Sequence, residues 1–168
     1  MLKGIIGLTG YATCGKDTLF NLISDRAQAT RISLADVLKF EIHPFILKKF
    51  GINILNCSPA EKELIRPLMV EYGLIHRKNS GGTYFTSKVE ETVKYISQNQ
   101  LCVITDIRYA DPQYPNDELN WLKGLGGKLI HISKYFQKDG EIIPLGPPNL
   151  QEKINDEILA ARADYFVS

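Results

Sequence analysis

The chain has few cysteines, and those it has form no pattern. Cys14, Cys57 and Cys102 are odd in number, widely spaced and outside any CxxC or Cys/His arrangement. That excludes a disulfide framework or a cysteine metal centre and suits a reduced, cytoplasmic setting. Charge of one sign is lacking too, since 20 Lys and Arg stand against 19 Asp and Glu, a formal net charge of +1. No general field draws such a chain to a nucleic acid polymer or an anionic membrane, so any anion must be held by locally placed cations. Long hydrophobic runs are absent as well. The opening MLKGIIGLTG is interrupted by Gly4 and Gly7 and is too short for a signal-peptide core or a membrane span. His43, His76 and His131 are scattered, with no paired carboxylate or metal spacing, and read as core or surface residues. No internal repeat or low-complexity tract occurs.

What is present is 168 residues, 44% hydrophobic, enough for one domain over 1–168 burying roughly 70% of its unfolded surface. Residues 3–9, KGIIGLT, make a nearly continuous apolar run suited to a buried parallel strand. After a glycine loop, residues 16–28 place Leu19, Leu22 and Ile23 at helical spacing, and residues 31–34 suit a second short strand. Residues 35–50 read as helical, with Pro44 expected to kink the run near His43 or divide it in two. Ser58 and Glu61 form a capping box with Pro59 at the first helical position, opening a helix in which Pro67 threatens a bend. NSGGT at 79–83 reads as a loop before another helix at about 84–98. LCVITD at 101–106 and KLIHIS at 128–133 supply two further strands, with a helix over 116–125 between them. The segment 134–149 carries DG and GPP and reads as an irregular excursion, followed by a helix at 150–162 and a last strand in DYFVS. Strands alternating with helices predict an α/β domain whose parallel sheet is covered on both faces.

Chemistry is concentrated at residues 10–18, GYATCGKDT. A phosphate chain needs several donors converging with no side chain in the way, and a glycine turn feeding a helix N-terminus supplies them from backbone N–H groups. Gly10, Ala12, Thr13, Cys14 and Gly15 form that turn, and Lys16 offers a point charge to the β and γ phosphates of ATP. The strict motif places Ser or Thr directly after the lysine to bind Mg²⁺; here Asp17 follows and Thr18 comes one place later. Asp17 then either points away from the phosphates or contacts metal-bound water, while Thr18 can still bind an α-phosphate oxygen. Asp106, closing LCVITD, is the candidate carboxylate for Mg²⁺, through water. Ile107 rather than glutamate follows it, which favours transfer over hydrolysis. Arg108 stands at the same sheet edge, where a guanidinium could grip an acceptor phosphate; a surface salt bridge fits the spacing equally.

Five blocks in order, GKDT at 15–18, LADVLK at 34–39, IRPLMVEYG at 65–73, VITDIRY at 103–109 and GGKLIHI at 126–132, together resemble the phage-type deoxynucleoside monophosphate kinases. The resemblance runs from about residue 4 to the end of the sequence. It implies a three-layer P-loop kinase fold with central strand order 2-3-1-4-5, an acceptor-binding helical region at about 35–100 and a mobile lid at about 134–150. It also implies Mg²⁺ with ATP, and transfer of the γ-phosphoryl group to a deoxynucleoside monophosphate. By position, Lys16 and Thr18 bind ATP phosphates, Asp106 supports Mg²⁺, Arg108 and Arg66 hold the acceptor monophosphate, and Asp36 and Lys39 line the acceptor side. Whether such a chain forms a homodimer stays open. GLTG before a Gly-Lys turn is also similar to dephospho-coenzyme A kinases, and a nucleotide-binding regulatory protein without catalysis is a third reading. Arg77, Lys134, Lys138 and Arg162 are candidate lid or phosphate-clamping cations, although each such residue is more often a solvated surface charge. Tyr84, Phe85, Tyr109 and Trp121 could stack on a base or complete the core.

Overall fold

Apolar residues placed alternately along three short strands decide where the helices go. In β1 (Gly4–Thr9), β3 (Leu101–Ile104) and β4 (Lys128–Ile132), Ile5, Cys102, Ile104 and Leu129 point into one buried cluster, and Leu8, Leu101, Val103 and Ile132 into another. A strand presents successive side chains to opposite faces, so a sheet with two apolar faces must be covered on both. The computed structural model describes residues 2–147 and 150–168, without the side chain of Gln151.

The remaining elements are α1 (Lys16–Ser24), β2 (Ala29–Ile32), α2 (Leu34–Phe50), α3 (Pro59–Ser80), α4 (Tyr84–Asn99), α5 (Glu118–Gly124), β5 (Tyr135–Lys138), β6 (Glu141–Pro144), α6 (Leu150–Ala161) and β7 (Tyr165–Val167). The main sheet has the order β2-β3-β1-β4-β7, and each neighbouring pair in it is parallel. This is the expected 2-3-1-4-5 order of a three-layer P-loop kinase fold, with β7 as its fifth strand. Side chains from α4, α5 and α6 fill the first cluster, and Leu19, Phe20 and Ile23 of α1 fill the second. Leu22, expected on that buried face, is 46% exposed; Phe20 takes the place. A third cluster, Ile42, Ile46, Ile52, Ile54 and Ile65, gives α2 and α3 a small core of their own beside the sheet.

Several boundaries differ from the sequence expectation. Pro44 neither breaks nor divides α2: it lies on the exposed side, where water can take the carbonyl it leaves unpaired, while Ile42 and Ile46 anchor the opposite face. Pro67 sits inside α3 in the same way. That helix continues to Ser80, so only residues 81–83 remain of the loop expected at 79–83. β2 starts at Ala29, because its pairing with β3 sets Ala29 against Leu101. The helix expected from 116 begins at Glu118, since Asp117 is spent as its N-cap.

The excursion expected to be irregular at 134–149 contains two strands, while residues 148 and 149 lie outside the described residues. β5 and β6 pair antiparallel, with Lys138 opposite Glu141. Asp139 and Gly140 both have positive φ, 52° and 87°, the two-residue turn whose twist matches that of a hairpin. The DG dipeptide was the available signal. Among the described residues no helix is long and apolar enough to cross a membrane.

Asp164 secures the last strand. Its carboxylate accepts from Leu129 N at 2.7 Å and pairs with Lys123 and Lys128, while its own amide donates to Leu129 O at 2.9 Å. Its hydrogen bond from Lys123, then that from Leu129 N, hold the carboxyl down to about 2. A carboxylate with a folded pKa below its unfolded value, about 4, contributes stability above that pH and loses it as the pH falls toward the folded value. The melting temperature of Asp164→Asn is therefore expected to fall less than that of the native chain between about pH 4 and pH 2. Parallel acid limbs in a thermal-melt series would show that the ion pairs contribute nothing.

Candidate functional site

The strand end of β1 leads straight into the glycine loop. Gly10 has φ 129° and Gly15 φ 113°, and even Thr13 sits at φ 65°, a region a branched residue seldom adopts. At Gly10 the need is also spatial, because a Cβ there would lie 2.3 Å from the carbonyl oxygen of Ile132. Inside the loop, Lys16 Nζ donates to Gly10 O at 2.6 Å and Tyr11 O at 2.8 Å and lies 3.6 Å from Cys14 Sγ. Cys14 N bonds Tyr11 O. The amides of Ala12, Thr13, Gly15, Lys16, Asp17 and Thr18 take no acceptor among the described residues, so loop and helix start together present a row of open donors. The Asp17 side chain is 84% exposed, 3.9 Å from Arg31, and Thr18 is exposed beside it.

Asp106 is buried and lies two residues past the end of β3. Its Oδ1 accepts from Leu34 N at 2.9 Å, and its Oδ2 from Ala35 N at 2.7 Å and Ser33 Oγ at 2.9 Å. Ser33 in turn caps α2 by accepting from Asp36 N. A carboxylate at a helix N-terminus is stabilised by those N–H groups, and here it fastens the start of α2 to the sheet edge. Just outside, Arg31 and Lys39 bond opposite oxygens of Asp36 at 2.9 and 2.7 Å. Burial would raise the Asp36 carboxyl, but the bonds from Lys39 and Arg31 outweigh it and lower the pKa. Asp17, Arg31, Asp36 and Lys39 thus form an alternating string of charge from α1 to α2.

Across the loop, Arg108 and Lys16 line one narrow cleft of about 30 Å³ with Tyr11, Glu152 and Asp156. Arg108 is exposed, and its guanidinium makes no hydrogen bond or ion pair among the described residues. Arg66 pairs with Glu63 on its own helix, and the charge of Glu152 on α6 also acts on it. Burial, then the charge of Asp156, pushes the Tyr11 phenol up. Asp156 also receives a 3.0 Å contact from His131 Nε2, so the expectation that no histidine has a paired carboxylate fails; the partner is supplied by α6, far away in sequence.

No protein-family model matches the chain, and no curated protein matches it. Among solved structures, the chain is similar to shikimate kinase from Aquifex aeolicus vf5 at 18% identity and a TM-score of 0.48, over 98% of this chain and 86% of that one.

Arg77, a candidate clamp cation from sequence, is instead 4% exposed. Its Nη1 and Nη2 bond the two oxygens of Asp117, each at 2.9 Å, and its guanidinium lies 3.5 Å from the centre of the Tyr109 ring. Of the other candidates, Arg162 bonds Asn120 and Lys138 is exposed on the hairpin, while Lys134 reaches Thr13 O at 3.4 Å. The four aromatic candidates each have a place in the packing: Phe85 is buried, Trp121 donates to Glu90, Tyr84 donates to Glu41 and Tyr109 covers Arg77. Glu152, Asp156, Arg31, Asp117 and Glu118 were missed. The i, i+4 spacing of Glu152 and Asp156 on one helix face was the readable sign for α6.

Proposed function

We propose that this chain is an ATP-dependent kinase whose acceptor is itself a phosphate, a deoxynucleoside monophosphate in the first instance. The observation that carries the reading is that the Arg108 guanidinium, unpaired among the described residues, lines the same cleft as Lys16 and Ala12, two members of the row of open loop amides. Two cationic side chains lining one small space suit two phosphates that must meet in line.

In this scheme the loop from Gly10 to Thr18 holds the ATP phosphates. Lys16 exchanges the carbonyls of Gly10 and Tyr11 for β and γ oxygens. Arg108, with Arg66, grips the acceptor monophosphate, and Asp36 and Lys39 on α2 line the acceptor side, within a helical region of about 35–100. An acceptor phosphate oxygen forms the new bond to the γ-phosphorus while the bond from that phosphorus to the β–γ bridging oxygen breaks, leaving ADP and a diphosphate product. No covalent enzyme intermediate is needed; the protein contributes position and charge. Mg²⁺ carried by ATP would offset phosphate charge. The donors that fit it are the exposed Asp17 carboxylate and Thr18 hydroxyl, because both Asp106 oxygens are engaged by α2 and reach a metal only through water. In the same scheme the segment at about 134–150, which includes the hairpin, acts as a lid.

The chain, ATP and Mg²⁺ should be incubated with each of the four common deoxynucleoside monophosphates and with dephospho-coenzyme A. ATP consumption and a diphosphate product are expected only with a deoxynucleoside monophosphate. Turnover with dephospho-coenzyme A alone would move the acceptor class, and ATP binding without any acceptor-stimulated turnover would leave a non-catalytic nucleotide-binding protein. Arg108→Ala is expected to raise the acceptor KM about 10-fold or more, the worth of a charged hydrogen bond, while the KM for ATP stays within about twofold. Equal loss of both affinities would contradict this division of roles.

A further inference from the structure

The turn carrying Arg108 is neither helix nor strand, yet each of its amides has an acceptor. Ile107 N donates to Leu8 O at 3.1 Å, Ala110 N to Asn155 Oδ1 at 3.2 Å and Asp111 N to Asp117 Oδ2 at 2.9 Å. The two in the middle, Arg108 N and Tyr109 N, both donate to one atom, Glu118 Oε2, at 2.7 and 3.2 Å. Leu119 N returns a bond to Tyr109 O at 3.2 Å. An irregular segment with every buried amide satisfied has little freedom to move.

Glu118 is an expensive choice for that task. It is 4% exposed and opens α5, with Arg77 Nη1 3.5 Å from its Oε1 and Asp117 beside it. Burial pushes its carboxyl up to about 8, against the opposing pull of Arg77 and of the Arg108 amide, while Asp117 and Asp106 add to the rise. A buried carboxyl is costly, so an apolar residue would be favoured here if packing were all that mattered. Its one visible product is a pinned backbone beneath a side chain that is itself exposed and unpaired among the described residues.

We infer that Glu118 is a positioning residue for the acceptor phosphate: by holding the Arg108 and Tyr109 amides on a single oxygen, it fixes the direction in which the Arg108 guanidinium enters the cleft. Arg77 and Asp117 are the frame that holds Glu118 in turn. This rests on the kinase reading above.

The test compares Glu118→Ala with Glu118→Gln, whose amide oxygen can still receive both N–H groups. In E118A the acceptor KM should rise about tenfold or more, as expected when a binding group is misplaced by about 1 Å, with the ATP KM within about twofold. E118Q should stay near the native values. Independently of activity, hydrogen exchange at the Arg108 and Tyr109 amides should accelerate in E118A and not in E118Q. If E118A does not fold by circular dichroism, Glu118→Asp, which withdraws the oxygen by one methylene, takes its place with the same expectation. An unchanged acceptor KM, or equal rises for both substrates, overturns this inference and leaves the kinase reading standing. A native chain that turns over no acceptor overturns both.

Discussion

Lys16→Ala is expected to lower kcat by about a hundredfold or more at saturating ATP, the loss typical of one preorganised donor in a water-poor site. The lysine is half-buried, and its ammonium is already stripped of part of its water by Gly10 O and Tyr11 O. Trading those carbonyls for phosphate oxygens keeps the hydrogen bonds and adds charge to charge, an advantage that grows as negative charge shifts during transfer. The same bonds brace the loop, so a purely structural lysine would give a different signature: weaker ATP binding with kcat retained once ATP saturates. Steady-state kinetics paired with ATP titration separates the two. A kcat unchanged at saturation would remove Lys16 from the chemistry.

Arg77→Ala should produce the largest loss of stability, about 3–5 kcal/mol, the usual penalty for breaking a buried ion pair from one side. With Arg77 gone, Asp117 would keep its bonds from Glu118 N and Asp111 N but lose both guanidinium contacts, and Glu118 would lose its only cationic neighbour within 4 Å among the described residues. Tyr109 would lose the cation stacked beneath it. For a chain of this length the melting temperature should fall on the order of 10 °C. Arg77→Ala with Asp117→Asn should recover part of the loss, because the second change removes the stranded charge. A single variant within about 1 kcal/mol of the native chain in urea denaturation would show that the pair is not holding the turn.

The sheet and the glycine loop were legible because each depends on neighbours in sequence. An apolar run, glycines at fixed spacing and a helix start fall within residues 3–24, and the periodic runs around Leu101 and Lys128 announce strands of their own. Boundaries slipped where a partner decided the matter, as with β2, whose start is set by β3, and α5, whose cap is Asp117. The hairpin was readable in Asp139 and Gly140 but was outweighed by the prolines nearby. In the candidate site, Lys16 and Arg108 could be singled out because their motifs are local. Asp106 could be placed at a strand end but not seen to grip α2, since Ser33, Leu34 and Ala35 lie some seventy residues earlier. The pairing of Arg77 with Asp117 and Glu118 was invisible for the same reason: a buried ion pair between α3 and the start of α5 leaves no periodicity, and an isolated arginine in an exposed-looking helix reads as a clamp cation or a solvated charge.

The sheet order also has a consequence for how the chain comes together. β1 and β2 never touch; β3 lies between them, setting Gly4 and Ala29 both against Leu101. β1's other neighbour, β4, comes later still. During synthesis, then, residues 1–100 hold two strands with no mate and a glycine loop whose sheet neighbours are not yet made. Helices and the small α2–α3 core can form early, but the candidate site waits for β3 to insert. Such distant pairings are slow to close and leave strand edges exposed meanwhile, which makes the stretch around Leu101 the latch of the whole fold.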